Sequence, residues 1–228
     1  AERRRLRALR AYFALDDALR NAWRALYNAV LRHVVRGERV PYQHTPPPVD
    51  VADVLRLLSD ALAYQIFVDG VFHGDCHPGN VMLLDDGRVA LVDYGQVKRI
   101  EPRTRVHYAR LIEALASDDD ERIYRAYLAA GISHRYNRKD IIVALAKFWN
   151  DDDTDDVRFG KPLPVFLDYC EAEDPVSEED FPDDIVMCAR TSVLLRGVAL
   201  AFGMRIRTAP LWLPYARRCL DEHGAEYE

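Results

Sequence analysis

The sequence predicts a mainly α-helical protein that contains one small β-hairpin. Apolar residues recur about every 3.6 positions over several long segments, which is the spacing of one helix face. The β-rich part consists of two short apolar runs, residues 81–84 and 88–92, on either side of Asp85-Asp86-Gly87. An Asp-Gly pair between two such runs predicts a hairpin, because glycine readily adopts the backbone conformation of a tight turn.

The first 40 residues are predicted to form a basic helical segment. Apolar periodicity indicates one long helix, or two in series, over residues 3–36, ended by Gly37. The following stretch PYQHTPPPVD, residues 41–50, cannot be helical, because its prolines lack amide donors and hold the preceding residues extended. It is predicted to be a linker or a rigid surface loop.

Residues 51–222 are predicted to form one helical lobe. Asp50 caps its first helix, over residues 51–68, and residues 71–72 form a short strand. After Gly95 the chain is predicted to be entirely helical. The predicted helices cover residues 102–116, 119–130, 138–150, 163–171, 184–202 and 210–221.

Composition and charge exclude several classes of protein. With 49% hydrophobic and 30% charged residues, the chain is typical of a folded globular protein rather than a disordered one. A net charge of −6 argues against nucleic acid as a partner. No run of about 18 uncharged apolar residues indicates a spanning helix. The four cysteines lack zinc-site spacing, which favours reduced thiols in an intracellular or organelle-matrix compartment.

The charge is unevenly distributed along the chain. Residues 1–40 hold ten arginines against four acidic residues, a net +6, so the remainder carries −12. Arginines interleaved with Leu6, Leu9 and Phe13 are typical of a helix that lies on an anionic membrane surface. The alternative is a basic face that docks to an acidic surface, including the acidic remainder of this chain.

Two polar motifs flank the predicted hairpin. HGDCHPGN, residues 73–80, matches H-x-D-x-x-x-x-N, the catalytic-loop pattern of protein kinases. Thirteen residues after Asn80 comes Asp93, which opens the sequence DYG and matches the metal-binding D-F-G pattern with one aromatic exchange. Either motif alone is weak evidence, because Asp and Gly are common in turns. Both in this order, with a hairpin between them, predict a phosphate-handling site.

Each polar residue of these motifs has a chemical reason to be there. Asp75 would orient, or accept a proton from, the attacking hydroxyl or water. Asn80 and Asp93 offer oxygen ligands of the kind that Mg²⁺ prefers alongside phosphate oxygens and water. These three residues are the predicted catalytic and metal-binding groups.

The remaining motif residues are predicted to shape the loops. Gly79 and Gly95 allow tight turns next to the predicted metal ligands. His73 is expected to hold the catalytic loop by hydrogen bonds. His77 is expected to brace the same loop rather than bind a metal ion. Cys76 is interpreted as an inert thiol, because the motif assigns no base or cation to activate it and His77 is expected to brace the loop.

The combined motif resembles one family. HGDCHPGN followed by VDYGQVKR resembles the UbiB/ADCK family of atypical kinases, whose usual form is close to HADPHPGN and then DFG or DYG. Residues 64–75, 95–131 and 194–216 are also similar to the family's corresponding segments. Gly74 and Cys76 stand where the family usually has Ala and Pro, and neither exchange removes a ligand.

The resemblance implies a protein-kinase-like C-lobe that binds ATP and Mg²⁺ through Asp75, Asn80 and Asp93. Family members support coenzyme Q or other prenyl-lipid metabolism, and are associated with ATPase activity and lipid binding more than with protein phosphorylation. The implied location is mitochondrial, on the matrix side or membrane-associated, with plastid or bacterial cytoplasm as alternatives. The implied partners are a prenyl lipid or membrane surface, reached through the Arg-rich N-terminus, and a protein complex.

The upper lobe of a kinase is not visible in this sequence. Seventy-two residues precede His73, and none reads as the strand sheet, phosphate-covering loop or K-x-G-Q motif that the resemblance implies. The chain also begins with Ala1 rather than Met. The expectation is therefore the C-terminal part of a longer kinase, or a natural protein without that lobe. ATP and Mg²⁺ are the cofactors that the family implies, with loss of their binding as the alternative where the upper lobe is missing, and this chain alone is expected to be inactive.

Two alternative functions follow. The first is a non-catalytic pseudokinase lobe that serves as a structural subunit of a larger organelle complex. The second is a small-molecule kinase of the aminoglycoside or choline type, which shares H-G-D-x-H-x-x-N. The sequence GQVKR after Asp93 and Tyr94 argues against the second, because that class usually continues with acidic or small residues.

Overall fold

The computed structural model has the mainly α-helical architecture that the sequence predicts. The chain divides into two compact units, Ala1–Asp53 and Val54–Glu228. The structure describes residues 2–46, 48–84, 88–177 and 182–227. The predicted Asp85-Asp86-Gly87 turn lies outside these ranges. Among the described residues, no helix combines the length and the apolar composition needed to cross a bilayer.

The first unit is built on one long, nearly continuous helix, as predicted. Its parts are α1 (Glu2–Leu26), a wide π-helical turn (Tyr27–Leu31) and α2 (Arg32–Val35). The chain reverses at Arg36, which takes the left-handed conformation with φ of 51°. The sequence-based assignment of the helix end to Gly37 is therefore off by one residue. Gly37 instead donates its amide to the Arg32 carbonyl at 2.9 Å.

An extended strap, residues 38–46, runs back along α1 without helical structure. Side chains of the helix satisfy the strap backbone, as Asn28 pairs with Val40, Asn21 with Gln43, and Asp17 with Thr45. The Asn28 amide, for example, donates to the Val40 carbonyl at 2.7 Å and accepts from its amide at 2.8 Å. Because a proline-rich chain cannot pair its own backbone, these side chains supply the partners that regular structure would otherwise provide.

The long helix also carries an exposed apolar stripe. Its members recur at intervals of three or four residues, so they share one face of the helix. All are more than a third exposed: Tyr12, Leu15, Leu19, Trp23, Leu26, Val30 and Val34.

The entry to the second unit begins with α3 (Val51–Tyr64). The carboxylate of Asp50 accepts the Asp53 amide hydrogen at 3.2 Å, which confirms the predicted cap. The helix continues as wide π-helical turns over Gln65–Asp69, and Gly70, with φ of 67°, then turns the chain into the first strand.

Among the described residues, four short strands form two antiparallel pairs. The predicted hairpin is confirmed as β2 (Val81–Leu83) paired with β3 (Val89–Leu91). The predicted short strand is β1 (Val71–His73), and it pairs with β4 (Val97–Arg99). The prediction that everything after Gly95 is helical is wrong at β4. The three residues of β4, two of which are charged, do not show the alternation of apolar and polar residues that is typical of a strand. The strand forms because the backbone of β1 pairs with it.

Six helices follow within the described ranges, each within two residues of its predicted bounds. They are α4 (Pro102–Ala116), α5 (Asp120–Ala129), α6 (Lys139–Asn150), α7 (Leu163–Glu173), α8 (Asp183–Ala201) and α9 (Thr208–His223).

The core beneath the strands is aromatic. Phe67 stacks on Tyr108 of α4 with ring centroids 5.7 Å apart, and meets the edge of Trp212 of α9 at 6.1 Å. All three side chains are fully buried. Truncating such a ring to alanine typically costs about 3–5 kcal/mol, so this cluster holds the π-helical turns before β1 firmly in place.

A buried acid ties three helix ends together. Asp151, which follows α6, accepts hydrogen bonds from the Arg207 guanidinium and from the Ala209 amide at the start of α9. Arg207 also bonds Asp118, between α4 and α5. Burial raises the pKa of Asp151 even though Arg207 opposes the shift. The network fixes α9, and through Trp212 the aromatic core, relative to α4 and α6.

Candidate active site

The strand β1 positions the start of the candidate catalytic loop. Phe72 is 1% exposed and anchors β1 in the core, so His73 and Gly74 leave the strand in a defined direction. The Gly74 amide donates to the Gln96 carbonyl at 2.9 Å, which joins the loop to the segment before β4. A side chain at Gly74 has no room, because an added Cβ would lie 2.7 Å from Met187 Cε and 2.8 Å from Gln96 O.

His73 bridges the two motif loops. Its ring is buried, with Nε2 placed 3.0 Å from the Val92 carbonyl and Nδ1 placed 3.3 Å from the Asp75 amide. A carbonyl can only accept and an amide N–H can only donate, so the ring carries its proton on Nε2. Its backbone amide also donates to Gln65 Oε1 at 3.1 Å. One side chain thus links the first loop to the residue before Asp93.

The loop closes on itself through a short 3₁₀ turn, Pro78–Asn80. His77 Nδ1 accepts the Gly79 amide hydrogen at 3.1 Å. The turn brings Asn80 back to Asp75, where Asn80 Nδ2 donates to the Asp75 carbonyl at 3.0 Å and lies 3.4 Å from its carboxylate. The two predicted catalytic side chains are therefore in direct contact.

Asp93 stands at the end of the second loop. Its φ of 59° is in the left-handed region, which Asp tolerates better than most side chains. Its Oδ1 accepts the Gly95 amide hydrogen at 3.2 Å, and its side chain is exposed. The Val92 amide donates to the Asn80 carbonyl at 2.9 Å, so Asp93 follows directly after a residue tied to Asn80. The contact between the two loops is thus made by backbone and by His73, not by Asp93 itself.

Arg190 of α8 completes the cluster and was missed by the sequence reasoning. Its guanidinium donates to Asp75 Oδ1 at 2.9 Å and to Gln96 Oε1 at 2.6 Å. It therefore fixes the orientation of the Asp75 carboxylate from a position 115 residues away. An arginine within the apolar-rich α8 indicates that a polar partner lies nearby, but the sequence does not identify that partner.

The residues present fit a magnesium–phosphate site in their chemistry. Asn80 commits its Nδ2 to Asp75, which leaves Oδ1 as its ligand atom, and Asp93 keeps Oδ2 beyond its bond to Gly95. Two hard oxygens are what Mg²⁺ needs when substrate phosphates and water supply the rest. Across the described ranges, no three His, Cys, Asp or Glu side chains are grouped so that they could bind a metal ion by themselves.

Cys76 lies inside the loop yet turns away from the chemistry. It is fully buried, and its thiol is 3.6 Å from the Thr191 carbonyl. Burial raises the pKa of the thiol to about 12, so almost no thiolate exists at neutral pH. The interpretation of an inert thiol agrees with this environment.

Comparison with known proteins finds similarity to one kinase-like domain. The sequence model of the ABC1 atypical kinase-like domain matches residues 35–127, a segment that contains both motif loops. The matched segment is therefore similar to the ABC1 atypical kinase-like domain. The similarity to the UbiB/ADCK group of atypical kinases is thereby confirmed.

Several proteins of distant organisms are similar to parts of this chain. An uncharacterised Synechocystis protein is 42% identical over 84 residues, 34% of this chain and 21% of its own. The probable serine/threonine-protein kinase abkB of Dictyostelium discoideum is 34% identical over 37% of this chain and 14% of its own. An uncharacterised aarF domain-containing protein kinase of Arabidopsis thaliana, described as chloroplastic, is 36% identical over 28% of this chain and 12% of its own. The chain thus spans about a fifth or less of these relatives.

Proposed function

We propose that this chain carries the metal- and phosphate-binding half of an ATP site in a UbiB/ADCK-type atypical kinase or ATPase. The observation that supports the proposal best is the hydrogen-bonded link between the two loops. Asn80 contacts Asp75 directly, and the Val92 pairing with Asn80 and His73 holds the start of the Asp93 loop beside them. Kinase chemistry requires this convergence, because catalysis of phosphoryl transfer is mainly positioning and charge neutralisation.

The proposed roles follow from these contacts. Asp75, held by Arg190 and Asn80, would orient the attacking hydroxyl or water. Asn80 and Asp93 would hold Mg²⁺ on the ATP phosphates, and the bound metal would neutralise the charge on the phosphoryl group. His73 would keep the two loops in register without touching the substrate. The family link suggests prenyl-lipid metabolism, ubiquinone included, as the setting of the reaction.

Metal binding tests the proposal directly. Mn²⁺ serves as the probe, and its binding to the chain is followed by electron paramagnetic resonance with and without ATP. Asp93→Asn should weaken Mn²⁺–ATP binding at least tenfold, because it removes a charged oxygen ligand. Asp221→Asn is the matched control, since Asp221 is an exposed acid on α9 with no part in the site. Equal binding by the wild type and Asp93→Asn would show that the site assignment is wrong.

Turnover separates an enzyme from the structural alternative. ATP hydrolysis is measured in the protein as its gene encodes it, with Asp75→Asn and Asp93→Asn as variants. Loss of hydrolysis in both variants would support the atypical kinase or ATPase. A correctly folded wild type that neither binds Mn²⁺–ATP nor hydrolyses ATP would favour the non-catalytic subunit of a larger complex.

We further propose that α1 lies on an anionic membrane surface. The exposed stripe from Tyr12 to Val34 supplies an apolar face, and Arg4, Arg5 and Arg7 are exposed on the same helix. Arginines beside apolar and aromatic residues are typical of interfacial helices. Vesicles with anionic lipid should shift the Trp23 emission to the blue, and neutral vesicles should not. No shift with either would contradict the proposal. The proposed membrane is mitochondrial, and cell fractionation tests this location.

A further inference from the structure

Helix α8 packs against the candidate catalytic loop. Three consecutive residues of the loop each meet one residue of α8, and the pairs are Gly74 with Met187, Asp75 with Arg190, and Cys76 with Thr191. The three α8 residues are spaced as i, i+3 and i+4, so they share one face of the helix. The central part of the loop therefore follows the surface of α8 residue by residue.

A second face of α8 is fixed in the core of the second unit. Ser192 Oγ donates to Thr208 Oγ1 of α9 at 2.9 Å, and both residues are fully buried. The guanidinium of the buried Arg196 donates to the Phe148 carbonyl, near the end of α6. A side chain that rises from a helix held in this way has a fixed origin, which is the support that precise positioning of a catalytic group requires.

Arg190 reaches from this support to both motif loops. One terminal nitrogen of its guanidinium donates to Asp75 Oδ1 at 2.9 Å, and the other donates to Gln96 Oε1 at 2.6 Å. Gln96 is the first residue after the DYG motif. The two acceptors belong to different loops and need two donors in a fixed relative orientation. The planar fork of arginine supplies such a pair, whereas the ammonium group of lysine is a single point charge.

The contacts of Arg190 separate Asp75 from the proposed metal ligands. Asn80 is held by the Asp75 backbone carbonyl at 3.0 Å, and the Asp93 loop is held by the Val92 amide. Neither of these bonds involves the Arg190 guanidinium. The Asp75 side chain is 24% exposed, so burial alone does not fix it. Without Arg190 its carboxylate would keep only the 3.4 Å approach of Asn80 Nδ2.

We propose that Arg190 is a positioning residue for phosphoryl transfer, which aims the Asp75 carboxylate at the attacking hydroxyl or water. The proposal rests on the proposed function, since the role exists only if this site transfers a phosphoryl group. Asp75 acts on the nucleophile, whereas Asn80 and Asp93 act on the metal ion. Loss of Arg190 therefore lowers turnover and leaves nucleotide binding intact. A displacement of about 1 Å in a reacting geometry can cost about 100-fold in rate.

Steady-state ATP hydrolysis by the protein as its gene encodes it tests this role. In Arg190→Met we expect kcat to fall at least tenfold, while KM for ATP and the affinity for Mn²⁺–ATP stay within twofold of the wild type. Arg190→Lys, which can keep one of the two bonds, should recover part of kcat. Arg217→Met is the matched control, because Arg217 is an exposed arginine of α9 that bonds Glu113 at 3.2 Å. It should keep the wild-type kcat.

Chemical rescue distinguishes positioning from a merely structural role. Arg190→Ala leaves space beside Asp75 for a free guanidinium ion. Millimolar guanidinium chloride should raise kcat of this variant severalfold, and potassium chloride at the same ionic strength should not. The wild type and Arg217→Ala should gain nothing from either salt. Absence of rescue in a folded Arg190→Ala protein would contradict the proposal.

The outcomes separate this proposal from the proposed function. If the wild type hydrolyses ATP and folded Arg190→Met does so at the same rate, the positioning role is refuted and the proposed function stands. If kcat and Mn²⁺–ATP affinity fall by the same factor, Arg190 maintains the whole site rather than Asp75, and the proposal fails. A wild type without hydrolysis refutes both. If Arg190→Met misfolds, Gln96→Met at an exposed position replaces it, and a wild-type kcat there would refute the link between the loops.

Discussion

His73→Leu is the substitution that most directly tests how the candidate site is assembled. Leucine keeps much of the ring volume, so the loss is mainly that of two hydrogen bonds, to the Val92 carbonyl and from the Asp75 amide. The substitution leaves the Val92 carbonyl and the Asp75 amide without these hydrogen bonds. An unpaired group of this kind lowers the free energy of unfolding by about 1–3 kcal/mol when it is fully buried. Both partners are only partly buried, so we expect a total loss of about 2–4 kcal/mol in the free energy of unfolding.

His77→Leu is the matched control. His77 belongs to the same loop, but its side chain is exposed and accepts the Gly79 amide hydrogen. Its loss should cost less than about 1 kcal/mol, as for a weak exposed cap.

Urea unfolding provides the measurement. In a Trp23→Phe background, tryptophan fluorescence comes only from the second unit, which holds Trp149 and Trp212. Mn²⁺–ATP affinity of the folded His73→Leu protein should also fall, because Asp93 loses its tie to the first loop. If the two leucine variants differ by less than about 0.5 kcal/mol, the reasoning that His73 joins the loops is refuted.

Three further predictions concern other parts of the chain. Gly74→Ala should lower the free energy of unfolding by about 1–3 kcal/mol, because the added methyl group would collide with Met187. Adding Met187→Ala should recover part of this loss, and a double-mutant cycle measured by urea unfolding would show the recovery. All four cysteines are buried with raised pKa values, so a thiol reagent at pH 8 should label none in the native protein and all four in urea; fast native labelling would contradict this burial. Hydrogen bonds from Thr45 lower the pKa of Asp17, so its stabilising contribution is present above about pH 4 and is lost as the pH falls through the lowered pKa. Protection of the Thr45 amide from hydrogen exchange should fall over that acid range in the wild type, and should be low at every pH in Asp17→Ala; pH-independent protection in the wild type would contradict the assignment.

The motifs and their spacing were enough to predict the similarity to the ABC1 atypical kinase-like domain, and they select the residues proposed for the site. HGDCHPGN, a hairpin and DYG in that order allow only a few arrangements, because a two-stranded hairpin returns the chain to its starting point. The structure brings Asn80 to Asp75 and the Asp93 loop beside them. Helix bounds followed equally well from periodicity and from signals such as Pro102, because these are local properties of the chain.

Contacts between distant segments could not be predicted in the same way. The strand β4 depends on an edge offered by β1, and Arg190 reaches Asp75 across 115 residues. The strap is held by side chains of the long helix of the first unit. A cavity lined by α5, α6, α7 and α8 exists only because these four helices meet around Asn150. A sequence pattern reports what each segment needs, an apolar neighbour or a polar partner. Which segment satisfies that need is decided by the packing of the whole lobe, since the free energy of each contact depends on groups far away in the chain.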